Sequence, residues 1–279
     1  MNNIKRLVVL ILLLSTTIFI LALEDGGKNR FQSDISIKSI LSAFSINVAL
    51  IFSLVILILV IISIHYEKKL KKYKKWLFLG IIIPVIITTL YLVASTVYLN
   101  LISETKGPVH WHADFEIWNC GKKINLIDPK GLSNRIGTSV LHEHNDDRIH
   151  VEGVVVNYTK VDLSSFFEVI FSGGQLTKNE LVVPTNDGVF ALIDGDECNG
   201  RAGKLQVFLY RIINPEEKKS GFIYKQEKLE NFENYVLSPY STVPPGDCII
   251  IEFGEEKEKT EHICETYKTA TEKGDLVGS

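Results

Sequence analysis

Five of the seven histidines in this 279-residue chain fall between positions 110 and 150. They form two H-x-H pairs, His110-Trp111-His112 and His142-Glu143-His144, followed by His150. Carboxylates and an amide surround them: Asp114, Glu116, Glu143, Asn145, Asp146, Asp147 and Glu152. On a β-strand residues i and i+2 project from the same face, so each pair would present two imidazoles to one point. Neutral imidazole ligates zinc, copper, nickel and iron, and nearby carboxylates can orient the rings. The pattern therefore predicts a metal site with copper or zinc as the favoured ion. Its ligands are drawn from His110, His112, His142, His144 and His150, and its affinity should fall as pH drops through about 6.5. Glu116, Glu143 and Glu152 are the candidates for ring orientation or acid–base work. A single H-x-H is a weak signal; two within 35 residues of a chain otherwise poor in histidine is a stronger one. His65 and His262 stand apart and read as incidental.

Such donors need rigid elements, and the chain offers them only after a different kind of segment. Residues 1–103 carry eleven Lys/Arg against four Asp/Glu, a net of +7; with the whole chain at −3, residues 104–279 carry −10. Three uncharged hydrophobic runs lie in the first part, at 7–23, 40–64 and 77–102. About 20 apolar residues cross a bilayer, so these predict a membrane anchor of three helices. The first run could instead be a signal peptide, but Leu21-Ala22-Leu23-Glu24 is a poor cleavage site, which favours a retained helix. The loop between the second and third runs holds Lys68, Lys69, Lys71, Lys72, Lys74 and Lys75. So basic a short loop stays in the cytoplasm. That orientation makes the chain a multi-pass protein of the cell membrane with a cytoplasmic N-terminus and an extracytoplasmic C-terminal domain. No charge lies within a span, which argues against a transporter or pump. The acidic second part argues against nucleic acid.

All four cysteines, Cys120, Cys198, Cys248 and Cys264, lie in that second part, and none has CxxC spacing. Outside the cytoplasm they read as disulfides, with three pairings possible; Cys120–Cys198 with Cys248–Cys264 is the pairing we favour. Each would add about 2–4 kcal/mol. Short apolar runs predict strands at 110–118, 122–127, 149–156, 205–213 and 248–253, with a helix at 162–171 capped by Asp162 and a short helix at 229–237. The expected domain, 104–254, is a compact β-rich α+β fold, either a β-grasp-like sheet curled around one helix or a β-sandwich. Residues 255–279 read as a mobile charged tail that Cys264 ties down in part.

The strings HWHADFEIWNCGKKI, LHEHNDDRIHVEG, LSSFFEV, KLQVFLY and PPGDCIIIEFG together resemble a poorly characterised prokaryotic family of membrane-anchored extracytoplasmic domains. The resemblance covers about residues 108–254 and implies that His110, His112, His142, His144, His150 and Glu152 belong to one motif. It supplies no function, and family members often have Thr where Glu143 stands. His110, His112 and Glu116 also satisfy the first half, H-x-H-x3-E, of a cupin metal motif, without the second half. G-x-S-x-G, Walker A and G-x-G-x-x-G motifs are missing, and Asp194-Gly195-Asp196-Glu197 lacks the spacing of a calcium loop and reads as a turn. Three functions stay open: a metal-binding domain that senses, stores or delivers the ion; a metal-dependent enzyme, cupin-like or hydrolytic, with a glutamate as base; and an envelope interaction module whose histidines bind no metal.

Overall fold

The computed structural model describes residues 35–130, 134–217, 221–240 and 243–279. The hydrophobic run 7–23 lies outside the described residues. The chain divides into two compact units, Met1–Ile102 and Ser103–Ser279.

In the first unit, α1 (Ile35–His65) and α2 (Lys74–Ile102) are joined by a short basic link. Among the described residues these two helices are long and apolar enough to cross a membrane. One narrow stripe holds them together, with Leu59, Leu70, Tyr73 and Leu77 buried against Val55, Ile62 and Ile81. Leu50, Leu54, Phe78, Leu90 and Leu101 point outward and are exposed. Water would penalise that much bare apolar surface, whereas hydrocarbon would not. Pro84 sits inside α2 on the buried side.

The second unit is a mixed α+β fold built on one nine-stranded sheet. Its strands are β1 (Pro108–Asn119), β2 (Lys122–Ile124), β3 (Ile136–Gly137), β4 (Leu141–Glu143) and β5 (Arg148–Val154), then β11 (Lys204–Ile212), β12 (Phe222–Leu229), β13 (Asp247–Gly254) and β14 (Leu276–Gly278). Between β5 and β11 come α3 (Leu163–Ile170), the strands β6 (Gln175–Thr177), β7 (Glu180–Thr185) and β8 (Gly188–Ile193) of a separate three-stranded sheet, and the small pair β9 (Glu197–Cys198) and β10 (Arg201–Ala202). The large sheet runs in the order β14-β12-β11-β13-β1-β5-β4-β3, with β2 also on β1. β1 and β13 are parallel; their outer neighbours β5 and β11 are antiparallel to them.

The pleat of β1 explains the layers. Ala113, Phe115 and Ile117 face a core completed by Leu163, Phe166 and Phe167 of α3. Asp162 caps that helix as expected, accepting from the Ser165 N–H at 2.8 Å. The alternate residues His110, His112, Asp114, Glu116 and Trp118 occupy the opposite face. β11 and β13 are buried on both faces, which is why their sequences are almost continuously apolar. At the β1–β2 turn Cys120 and Gly121 both have positive φ, 49° and 79°, as a tight hairpin requires.

The last 25 residues depart from the mobile tail expected. They form α4 (Glu265–Lys273) and β14, which pairs with β12. Tyr267 and Leu276 are each 1% exposed and pack with Phe208, Tyr210, Cys248, Ile250 and Cys264 into a second core on the far face of the sheet. A few well-placed apolar residues and the Cys248–Cys264 disulfide anchor the segment, while its charged residues are exposed except Lys257, which pairs with buried Glu252. The other disulfide is Cys120–Cys198. The helix expected at 229–237 is instead a single 3-10 turn, Phe232–Asn234, after β12. β3, β4, β6, β7, β8, β9, β10 and β12 were not anticipated either.

Candidate metal centre

Three neighbouring strands build the site. The register sets His110 opposite Glu152 and His112 opposite His150 across β1 and β5, and His142 opposite His150 across β4 and β5. Strands lie about 4.8 Å apart, so three imidazoles in one row must touch. The His112 and His150 rings are 4.5 Å apart and those of His142 and His150 stack at 5.3 Å. One pleat further along β1, His110 lies 4.5 Å from His112. His144, just beyond β4, lies 4.8 Å from His142 and 4.9 Å from His150. All five candidate histidines and Glu152 therefore meet.

Two groups of donors emerge: His110, His112, His150 and Glu152, and His142, His144 and His150. Within each group the ligand atoms lie within 4.8 Å of one another. His112 Nε2, His142 Nδ1 and His150 Nδ1 are buried and have no hydrogen-bond partner. A buried ring nitrogen left unsatisfied is costly; His112 and His150 belong to the first donor group and His142 and His150 to the second, so a cation in either group fits such atoms. Two further contacts set ring tautomers. The Asn134 carbonyl can only accept, so His144 Nδ1 donates to it at 2.5 Å and Nε2 keeps its lone pair. His150 Nε2 faces Asp146 Oδ2 at 3.2 Å, which leaves Nδ1 as its donor atom.

Electrostatics prepare the site for a cation. Burial, and then the neighbouring His150, His110 and Arg148, push His112 down to about 4. Burial, and then His150, do the same to His142, also to about 4. Both rings are thus neutral well below the pH of about 6.5 expected for their protonation. Burial alone would raise Asp146, but its hydrogen bond and charge contact with His150 hold it below the usual range. His110 is 63% exposed, so the row opens to solvent at that end.

The candidate glutamates separate. Glu152 Oε1 is 3.0 Å from His110 Nε2, and Oε2 is 3.9 Å from His142 Nε2. Glu116 is not brought to the histidines. Four residues beyond His112 on the same face, it lies ~13 Å along the strand. There it accepts from Trp118 Nε1 at 2.9 Å and Lys123 Nζ at 3.1 Å, so the cupin-like half-motif is not assembled. Glu143 points elsewhere too: its Oε1 accepts the Asp146 N–H at 2.7 Å and pins the turn in which Asn145 and Asp147 have positive φ. Burial raises its pKa. His262 stacks on Trp118 at 3.7 Å, and His65 packs on Tyr66. Asn134 belongs to the site and no sequence pattern pointed to it.

Beside the row, a cavity of about 200 Å³ is lined by His112, Asp114, Arg148, Gly246, Asp247 and Tyr267. Arg148 Nε donates to Asp114 Oδ1 at 2.6 Å within it. Asp247 forms its buried end, held by Ser238 N–H at 2.8 Å and Ser238 Oγ at 2.7 Å. Comparison with family models, curated proteins and solved structures gives no match to this chain.

Proposed function

We propose that this chain is a membrane-anchored protein whose extracytoplasmic domain binds a transition metal ion, copper or zinc, through the histidine row. The observation that carries the reading is the packing of five imidazoles and Glu152 into two compact donor groups that contain three buried, unsatisfied ring nitrogens, two of them on rings held neutral at ordinary pH. Imidazole with one carboxylate is a donor set for copper or zinc, and both cysteine pairs are tied up as disulfides, so no thiolate competes. The basic link after α1 supports a cytoplasmic side for that loop, and two disulfides support an oxidising side for the second unit. The β5-β1-β13-β11 order with α3 behind it supports a β-grasp-like sheet curled around one helix. The role is to hold or hand over the ion outside the cytoplasm.

One observation favours a second reading, a metal-dependent enzyme. The cavity shares His112 with the row, so a bound molecule would sit against the ion, with Arg148 in reach of an anionic group. The test of the main reading is the melting temperature of the metal-stripped chain at pH 7 with added zinc or copper. Binding to the folded state at a hundredfold excess over Kd adds about 2.7 kcal/mol, a shift of several degrees. The shift should vanish in His112→Ala with His142→Ala. Equal shifts in both proteins would overturn the reading.

A further inference from the structure

We infer that the row holds two metal ions side by side, bridged by Glu152; the inference rests on the metal-binding reading above. Five imidazoles and a carboxylate exceed the four-coordinate shell typical of zinc. They do not collapse to one point: the donors divide into two nests that share only His150. With bonds of about 2.0–2.1 Å, two ligands of one ion are at most about 4.2 Å apart, close to the 4.8 Å span of each nest. One ion can draw either nest into a shell, but it cannot reach every donor of both.

Glu152 lies where the nests meet. Its Oε1 is 3.0 Å from His110 Nε2 and 3.9 Å from His150 Nδ1, whereas Oε2 is 3.9 Å from His142 Nε2. Glu152 belongs to the first nest, and its Oε2 faces His142 of the second. A carboxylate in that position links two ions at the separation of about 3.5–4 Å common to two-metal sites. The first ion takes His110, His112 and Oε1. The second takes His142 and His144, with Nε2 of His144 freed by the Asn134 carbonyl, together with Oε2. His150, oriented by Asp146, presents Nδ1 between them. The register makes the arrangement specific, because Glu152 faces His110 only while His112 faces His150.

The test is copper(II) reconstitution of the metal-stripped full chain in detergent, read by elemental analysis and by electron paramagnetic resonance. The expected result is two coppers per chain, with a resonance signal per copper at least severalfold weaker than that of isolated ions, because the bridged pair couples. His144→Ala should retain one copper and recover the full uncoupled signal. Glu152→Gln should lose the coupling. A plateau at one uncoupled copper in the wild type overturns the two-ion inference and leaves the single-site reading standing; two uncoupled coppers overturn the bridged pair and leave the metal-binding reading standing. No bound copper overturns both.

Discussion

Acidification should destabilise the metal-free protein through His142, and the amount can be worked from the structure. The His142 ring is 1% exposed and its pKa lies at about 4, against about 6.5 in an unfolded chain. Between those values the unfolded chain binds the proton and the folded chain does not. Stability therefore rises with pH across this window and falls as pH drops from 6.5 towards 4. At about 1.36 kcal/mol per unit, the whole shift corresponds to about 3 kcal/mol; from pH 7 to 4.5, and allowing for the charge coupling to His150, about 2 kcal/mol remains. Urea unfolding of the metal-stripped chain, followed by the fluorescence of Trp111 and Trp118, measures it. His142→Gln carries no titrating group at this position, so its loss on acidification should be smaller by that amount. Identical pH dependence in the two proteins would refute the placement of His142 as a buried neutral ring.

Other consequences are equally direct. A Cβ at Gly246 would lie 1.8 Å from the His112 carbonyl oxygen, so Gly246→Ala should cost about 1–3 kcal/mol, displace His112 and weaken metal binding, seen by melting and by zinc titration. Replacing Cys248 and Cys264 with alanine opens a link across a separation of 16 residues and should cost about 3 kcal/mol, with α4 becoming protease-sensitive. Asp162→Ala removes the α3 cap and should cost about 1 kcal/mol without changing metal affinity. In intact cells, an impermeant thiol reagent should label the four cysteines only after reduction; labelling that requires permeabilisation would reverse the proposed orientation.

Much of the site could be read in the sequence because a strand repeats every two residues. That periodicity alone brings His110 to His112 and places both away from the core formed by Ala113, Phe115 and Ile117. What could not be read is register. Nothing local in β1 or β4 specifies that His112, His150 and His142 align, since the pairing joins residues up to 38 apart in sequence. Glu116 misled for a related reason: it shares the face of the H-x-H pair but lies too far along the strand, where Lys123 claims it. The fold shows the same division. β11 and β13 stood out because burial on both faces makes them nearly all apolar. β12 alternates Tyr224, Lys225, Gln226 and Glu227 and looks like surface until β11 and β14 flank it. The C-terminal segment depends on Cys264, Tyr267 and Leu276, too sparse for a periodic signal.

The most direct test of the central claim is the metal content of the full chain as purified in detergent without a histidine-rich tag, by elemental analysis, beside His112→Ala with His142→Ala. The account predicts at least one copper or zinc per wild-type chain and close to none in the double variant. A wild-type chain that is folded yet metal-free, and stays so after reconstitution at neutral pH, would contradict it.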